Sequence, residues 1–271
     1  LDRDQKLDLL KSNLKKLGSI AIAFSGGVDS TFLLKVAHDT LGDNAIAITI
    51  KGIMHSSREI EEAKEYAKQI GAKHVLVPVE KFEVKEFIDN DPLRCYYCKT
   101  AVFTNIKNIA ASNNIIYVAD GTNMDDLGDY RPGMKALEEL SIVSPLKEAG
   151  MTKEDIRMLS KDLGLETFDK PSFACLASRI PYGEKITDEK LRMIEKSEDY
   201  LLELGFKQFR VRCHLDIARI EVAPDEISKF FNEDFMKQTH DELQKFGFKY
   251  VTLDMLGYRT GSMNEVLDSN N

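Results

Sequence analysis

The chain has 271 residues, 43% hydrophobic and 30% charged, with 37 basic against 45 acidic side chains and a net charge of -8. That composition is globular and leaves room for one large domain or two modest ones, so neither disulfides nor a structural metal is required for folding. No apolar run approaches the roughly 20 residues of a membrane span, and the acidic balance argues against a broad surface for nucleic-acid phosphates.

In chain order, residues 1–18 alternate charge and leucine at helical spacing without the apolar core of a signal peptide, which predicts a helix and a cytoplasmic protein. Short β-branched runs then predict strands at 19–25, 45–50, 73–77 and 115–120, separated by helices at about 29–41, 56–70 and 99–113. Strand and helix in alternation read as an α/β fold with a Rossmann-like parallel sheet. Ser56 with Glu59 makes a capping box for the second of these helices, and Gly71 supplies its stop. A further helix is expected over 153–163. Residues 169–183 turn irregular, with two prolines and a glycine, and read as a domain connection that carries Cys175. Beyond it lie a helix at about 187–204, alternating strands at 208–214 and 217–222, helices beginning near Pro224 and Glu233, and a strand at 250–254. The division is therefore 1–170 for the α/β domain, 171–186 for the connection and 187–271 for a second, smaller α+β domain.

The first strand runs into Ser25, Gly26, Gly27, Val28, Asp29 and Ser30, and a helix follows at once. Adjacent glycines free backbone N–H groups to face a ligand, the serines add hydroxyls, and the helix start adds a positive dipole end, so the segment suits phosphate. It is neither a Walker A loop nor a dinucleotide fingerprint. The SGGxDS pattern resembles the PP-loop of the ATP pyrophosphatase superfamily. That resemblance implies ATP bound at residues 25–30, magnesium held with the help of Asp29, and AMP transferred to a substrate. Ala119, Asp120, Gly121, Thr122 and Asn123 follow the fourth strand, where ligands sit in open α/β sheets, and Gly121 and Thr122 join the ATP-binding candidates. The stretch from Ser144 to Lys147, followed by Thr152 to Arg157, is similar to a segment after the nucleotide site in amide-forming and sulfur-transferring members. It adds Lys147, for which a solvated helix start is the plain alternative.

Cys95 and Cys98 form a C-x-x-C at the opening of a helix, which leaves a redox pair, half a zinc site and cluster ligation all open. Cys213 lies on the strand face of Phe209 and Val211 and reads as a core cysteine. Cys95, Cys98 and Cys175 with no fourth ligand describe a four-iron four-sulfur cluster with one open iron. On the other face of the same strand, Arg210 and Arg212 could converge with Arg179 and Arg219 on a phosphate or carboxylates, or pair with Glu198, Glu221 and Asp216 on an exposed face.

The combined motifs, namely 129–133 (DYRPG), 175–183 (CLASRIPYG), 210–214 (RVRCH), 217–221 (IARIE), 252–254 (TLD) and 257–261 (GYRTG), resemble the LarE family. Members of that family are sulfurtransferases of pyridinium-3,5-biscarboxylic acid mononucleotide, which serve the nickel-pincer cofactor. The resemblance implies a small-molecule mononucleotide substrate and a homo-oligomer, a hexamer being the expected form. It assigns catalytic roles to Asp29, Arg131, Cys175, Glu198 and Glu221, and substrate contacts to Arg179, Arg210 and Arg212. Better-known members use one cysteine, matching Cys175, as a sacrificial sulfur donor. Here Cys95 and Cys98 accompany it, as in the subgroup whose three cysteines hold an iron–sulfur cluster. The rival readings are a tRNA-thiolating PP-loop enzyme, an amide-forming PP-loop synthetase with structural zinc, and a noncatalytic ATP-binding module.

Overall fold

The computed structural model describes residues 1–52, 54–79, 83–128, 132–171 and 175–263. By its contacts the chain divides into two compact units, Leu1–Val84 with Leu93–Phe173, and Lys85–Pro92 with Ala174–Asn271.

The first unit opens with α1 (Arg3–Leu17), capped by Asp2, whose carboxylate accepts the Gln5 N–H while the Gln5 side chain accepts the Asp2 N–H. There follow β1 (Ile20–Ala23), α2 (Val28–Leu41), β2 (Ala45–Lys51), α3 (Ser57–Ile70) and β3 (Lys73–Pro78). The one-turn α4 (Lys85–Ile88) belongs to the second unit, and the chain returns to the first with α5 (Arg94–Ser112), β4 (Val118–Ala119), α6 (Gly133–Glu139), α7 (Pro145–Glu148) and α8 (Lys153–Asp162). Ser56 caps α3 by accepting the Glu59 N–H, and Gly71 ends it in the left-handed conformation.

All four strands run parallel in the order β3-β2-β1-β4. Both faces of the sheet are covered, which is why β1 and the first four residues of β2 are continuously apolar rather than alternating. Ile20, Ile22, Ala45 and Ala47 face a core built with α1, α2 and α8, whereas Ala21, Ile46, Ile48 and Ile50 face α5 and α6. The register pairs Ile20 with Ala45, Ala21 with Ile46, Ile22 with Ala47 and Ala23 with Ile48, so each rung joins one large and one small side chain. β4 is shorter than the sequence suggests, two residues instead of six, and Val143 bridges to its Ala119. The order reverses between β1 and β4: β2 and β3 are laid down on one side of β1 and β4 on the other. In an open parallel sheet, that switch point opens a crevice at the strands' carboxyl ends.

The second unit contains α9 (Asp188–Glu203), β5 (Phe209–His214), β6 (Ile217–Val222), α10 (Glu233–Phe246) and β7 (Tyr250–Leu253). β5 and β6 are antiparallel, whereas β6 and β7 are parallel. The helix expected near Pro224 is a 3-10 segment, Pro224–Phe231. Phe206, Phe230 and Phe235 pack together here, with Phe206 stacked on Phe230 at 5.4 Å between ring centroids. Asn90 ties the 85–92 segment to this unit by donating to the carbonyls of Ile180 and Pro181 at 3.1 and 2.7 Å. Among the described residues no helix is long and apolar enough to cross a membrane.

Candidate functional site

Residues 25–30 leave the end of β1 and enter α2, at the switch point. Gly26 turns the chain with φ +69°, a left-handed conformation that glycine adopts without a Cβ penalty, and an added Cβ would stand 3.0 Å from the Ala63 Cα of α3. Gly27 is the N-cap of α2 and offers no side chain to it, so this positive helix end is left for an anion. The Ser30 hydroxyl donates to the Gly27 carbonyl at 3.2 Å and accepts the Ser25 N–H at 3.3 Å, which braces the loop across its mouth. Val28 is buried and anchors the helix start.

Three further segments meet this loop. Gly121 follows β4, and a Cβ there would approach the Asp29 Cβ and Ser30 nitrogen at 3.2 Å, so a side chain would press on the loop. Asn123, buried, donates to Asp29 Oδ1 at 3.2 Å, and Lys153 at the start of α8 donates to Asp29 Oδ2 at 2.5 Å. Asp120 is buried and accepts from Ser144 at 2.7 Å and from Thr122, while the Lys147 N–H donates to the Thr122 carbonyl at 3.2 Å. Of the ATP-binding candidates, Ser25, Gly26, Gly27, Val28, Asp29, Ser30, Gly121, Thr122 and Lys147 thus lie around one strand-end crevice. Asp29 fits a magnesium site: one carboxylate beside a phosphate loop is the usual protein share of a magnesium–nucleotide site.

The second unit holds a different kind of cluster. Arg179 and Glu198 form a two-point pair, Nε to Oε1 at 2.9 Å and Nη2 to Oε2 at 3.0 Å, with Arg179 only 1% exposed. Glu198 also accepts the Val211 N–H at 3.0 Å. Its burial opposes ionisation, but the Arg179 charge and hydrogen bonds outweigh this and hold the carboxyl below its usual range. Arg212 donates twice to Glu221 Oε2, at 3.0 and 2.7 Å, and Ser262 and Arg219 reach Oε1 of the same carboxylate at 3.1 and 3.2 Å. Arg210 lies 5.1 Å from the centroid of the Tyr258 ring. Both faces of β5 are buried, so Arg210 and Arg212 do not form an exposed face, and their charges are met from within the unit. Asp216 pairs with Lys249 instead. Arg219 spans Glu221 and Asp254.

Cys95 lies in the first turn of α5, and Cys98 follows one turn further along the helix. Cys175 precedes the 3-10 turn Leu176–Arg179, and its carbonyl accepts from Arg179 at 3.1 Å. Cys95 and Cys175 are exposed, Cys98 is half-buried, and none of the four cysteines is in a disulfide. Cys213 is fully buried, donates to the Leu215 carbonyl, and has its thiol pushed up to about 11 by desolvation. That environment suits a core thiol and not a metal ligand. Among the described residues no three His, Cys, Asp or Glu side chains are grouped to hold a metal ion. By donor chemistry alone, thiols such as those of Cys95, Cys98 and Cys175 suit iron.

A PP-loop domain model matches residues 2–96. An uncharacterised protein of Synechocystis sp. is 42% identical over 97% of this chain and 98% of its own length. The pyridinium-3,5-bisthiocarboxylic acid mononucleotide synthase of Lactiplantibacillus plantarum is 38% identical over 95% of this chain and 93% of its own length. The chain belongs to the LarE family. An uncharacterised protein of Methanocaldococcus jannaschii, 33% identical over 94% of this chain, extends the same likeness to an archaeon. As a member of the LarE family the protein is an ATP-dependent sulfurtransferase.

Within this LarE-family site, Arg131 lies outside the described residues. Asn123, named only as part of the strand-end segment, and Lys170, which the sequence did not single out, are both tied to the loop. Asn123 carried a signal in its place two residues after Gly121. Lys170 had only its place before a proline in an irregular stretch. Gly26→Ala is expected to cost about 1–2 kcal/mol in loop conformation and to weaken ATP binding by roughly tenfold in calorimetric titration. Wild-type affinity in that variant would mean that the loop tolerates a right-handed turn.

Proposed function

We propose that this protein converts a carboxylate of pyridinium-3,5-biscarboxylic acid mononucleotide into a thiocarboxylate, in nickel-pincer cofactor biosynthesis. The observation that carries the reading is the near full-length likeness to a relative named as the bisthiocarboxylic acid mononucleotide synthase. A carboxylate is a poor electrophile and AMP a good leaving group. The substrate oxygen attacks the α-phosphate of ATP, pyrophosphate leaves, and sulfide displaces AMP from the acyl-adenylate. Residues 25–30 hold the β- and γ-phosphates on backbone N–H groups and hydroxyls. Gly121, Thr122 and Lys147 border the nucleotide, and Asp29 supplies the carboxylate for magnesium. Lys153, already ion-paired with Asp29, balances charge as pyrophosphate forms.

The family resemblance gives the acidic substrate to Arg179, Arg210 and Arg212, with Glu198, Glu221 and Arg131 completing the acceptor side; Arg179 and Arg212 are paired with Glu198 and Glu221, so binding there would exchange part of those internal pairs for the substrate. Cys95, Cys98 and Cys175 hold a four-iron four-sulfur cluster, which when bound supplies the sulfide for displacement. The working form is a cytoplasmic homo-oligomer, with a hexamer as the expected assembly.

The test is anaerobic purification with iron and sulfide analysis. Cys95→Ser, Cys98→Ser and Cys175→Ser are each expected to remove most of the visible absorbance, whereas Cys213→Ser keeps it. Polypeptide mass is expected to be unchanged after turnover, with added sulfide sustaining repeated product formation. Loss of one hydrogen sulfide from Cys175, in step with a single product per chain, would replace the cluster by sacrificial chemistry and leave adenylation standing.

A further inference from the structure

The peptide between Gly26 and Gly27 joins two residues without side chains, the first at φ +69°, and its N–H donates to Ser25 Oγ at 3.3 Å. A phosphate loop works only if such a peptide turns its N–H toward the anion and its carbonyl away from it. Gly26 Cα is already backed by α3, but that packing leaves the carbonyl direction open. The carbonyl is held by Lys170, whose Nζ donates to Gly26 O at 2.9 Å and to Glu62 Oε2 at 2.6 Å while standing 5.2 Å from the Tyr66 ring centroid. The Lys170 side chain is 14% exposed, so this ammonium is not a solvated surface charge.

The backbone of Lys170 is fixed as well. Arg157 of α8 donates to the Phe168 carbonyl at 2.7 Å and to the Lys170 carbonyl at 2.8 Å, and the Lys170 N–H closes onto the Thr167 carbonyl at 3.1 Å. Arg157 lies four residues after Lys153, so both project from one face of α8. One helix face therefore reaches the loop at two places: at Asp29 through Lys153, and at Gly26 through Arg157 and Lys170.

We propose that Lys170 is a positioning residue for ATP, fixing the carbonyl of the Gly26–Gly27 peptide so that its N–H, which rests on Ser25 Oγ, can serve the β,γ-phosphates. The proposal rests on the assignment of residues 25–30 to those phosphates. Glu62 neutralises and aims the ammonium, and Lys170 acts on the phosphate through the peptide that it holds.

The experiment is calorimetric titration of the full chain with magnesium–ATP and, separately, AMP, which lacks the phosphates that the loop would grip. Wild-type discrimination of ATP over AMP tests the loop assignment, and the change in that discrimination tests Lys170. Lys170→Met is expected to weaken ATP by about tenfold, as for a charge-assisted hydrogen bond, with AMP affinity within about twofold of wild type. Lys170→Arg keeps a donor within reach and is expected to hold ATP affinity within about threefold. Glu62→Gln leaves the bond to Gly26 and is expected to bind ATP at least as tightly as wild type. Unchanged ATP affinity in Lys170→Met, equal losses for ATP and AMP, or a failure of arginine to restore discrimination would each overturn the assignment.

Discussion

Replacing Asp29 by alanine is expected to lower substrate-dependent pyrophosphate release by about three orders of magnitude, since a metal-bridged phosphate is worth several kcal/mol in the transition state. The fold should survive. Asp29 is half-buried at the start of α2; of its partners, Lys153 is partly exposed, and Asn123 keeps the Asp125 N–H on its Oδ1. Release is to be measured with a coupled pyrophosphate assay, and the fold by circular dichroism. A variant that keeps wild-type release would remove the carboxylate from the metal site. A variant that unfolds would make Asp29 a structural partner of Lys153 instead.

The largest expected loss of stability comes from Glu198→Ala. Arg179 would be left buried without its carboxylate, and the Val211 N–H would lose its acceptor. Breaking one side of such a pair costs about 3–5 kcal/mol. Urea unfolding of the second unit is the measurement, and a loss below about 1 kcal/mol would show that water reaches Arg179 freely. The pH dependence has a definite sign. Because the folded carboxyl is held below its ordinary range, its contribution is fully present above that range and is lost as pH falls through the folded value. Wild type should therefore lose stability in acid more steeply than a Glu198→Gln variant, whose side chain has no proton to take up.

These two residues also mark how far the sequence could be read. The phosphate-suited loop was legible because glycines, hydroxyls and a helix start in one short run have a physical purpose that needs no tertiary context, whereas the metal role of Asp29 rests on the resemblance. The α/β order was legible for a related reason: β1 and most of β2 are apolar runs separated by stretches with helical spacing. β4 was overestimated since period and composition do not show where pairing stops, and here it stops after two residues. The arginines of β5 were legible as a converging pair and not as interior groups. Alternation normally separates a buried face from an exposed one, but in β5 both faces are covered. Lys170 was out of reach because its partners, Gly26 and Glu62, lie far from it in sequence and only folding brings them together.

The rungs joining β1 to β2 carry a consequence for how this sheet accepts change. Each rung sums to one isoleucine and one alanine, with the large member alternating between strands from one rung to the next. What packing holds constant there is the volume of a rung, not the identity of either residue. Ala47→Val alone adds two carbons beneath α2 and crowds a filled core, whereas the same change with Ile22→Val returns about half of that volume across the rung. Sequence drift through these two strands is thereby channelled into paired exchanges, and a lone substitution is the costly step between two equally well-filled sheets.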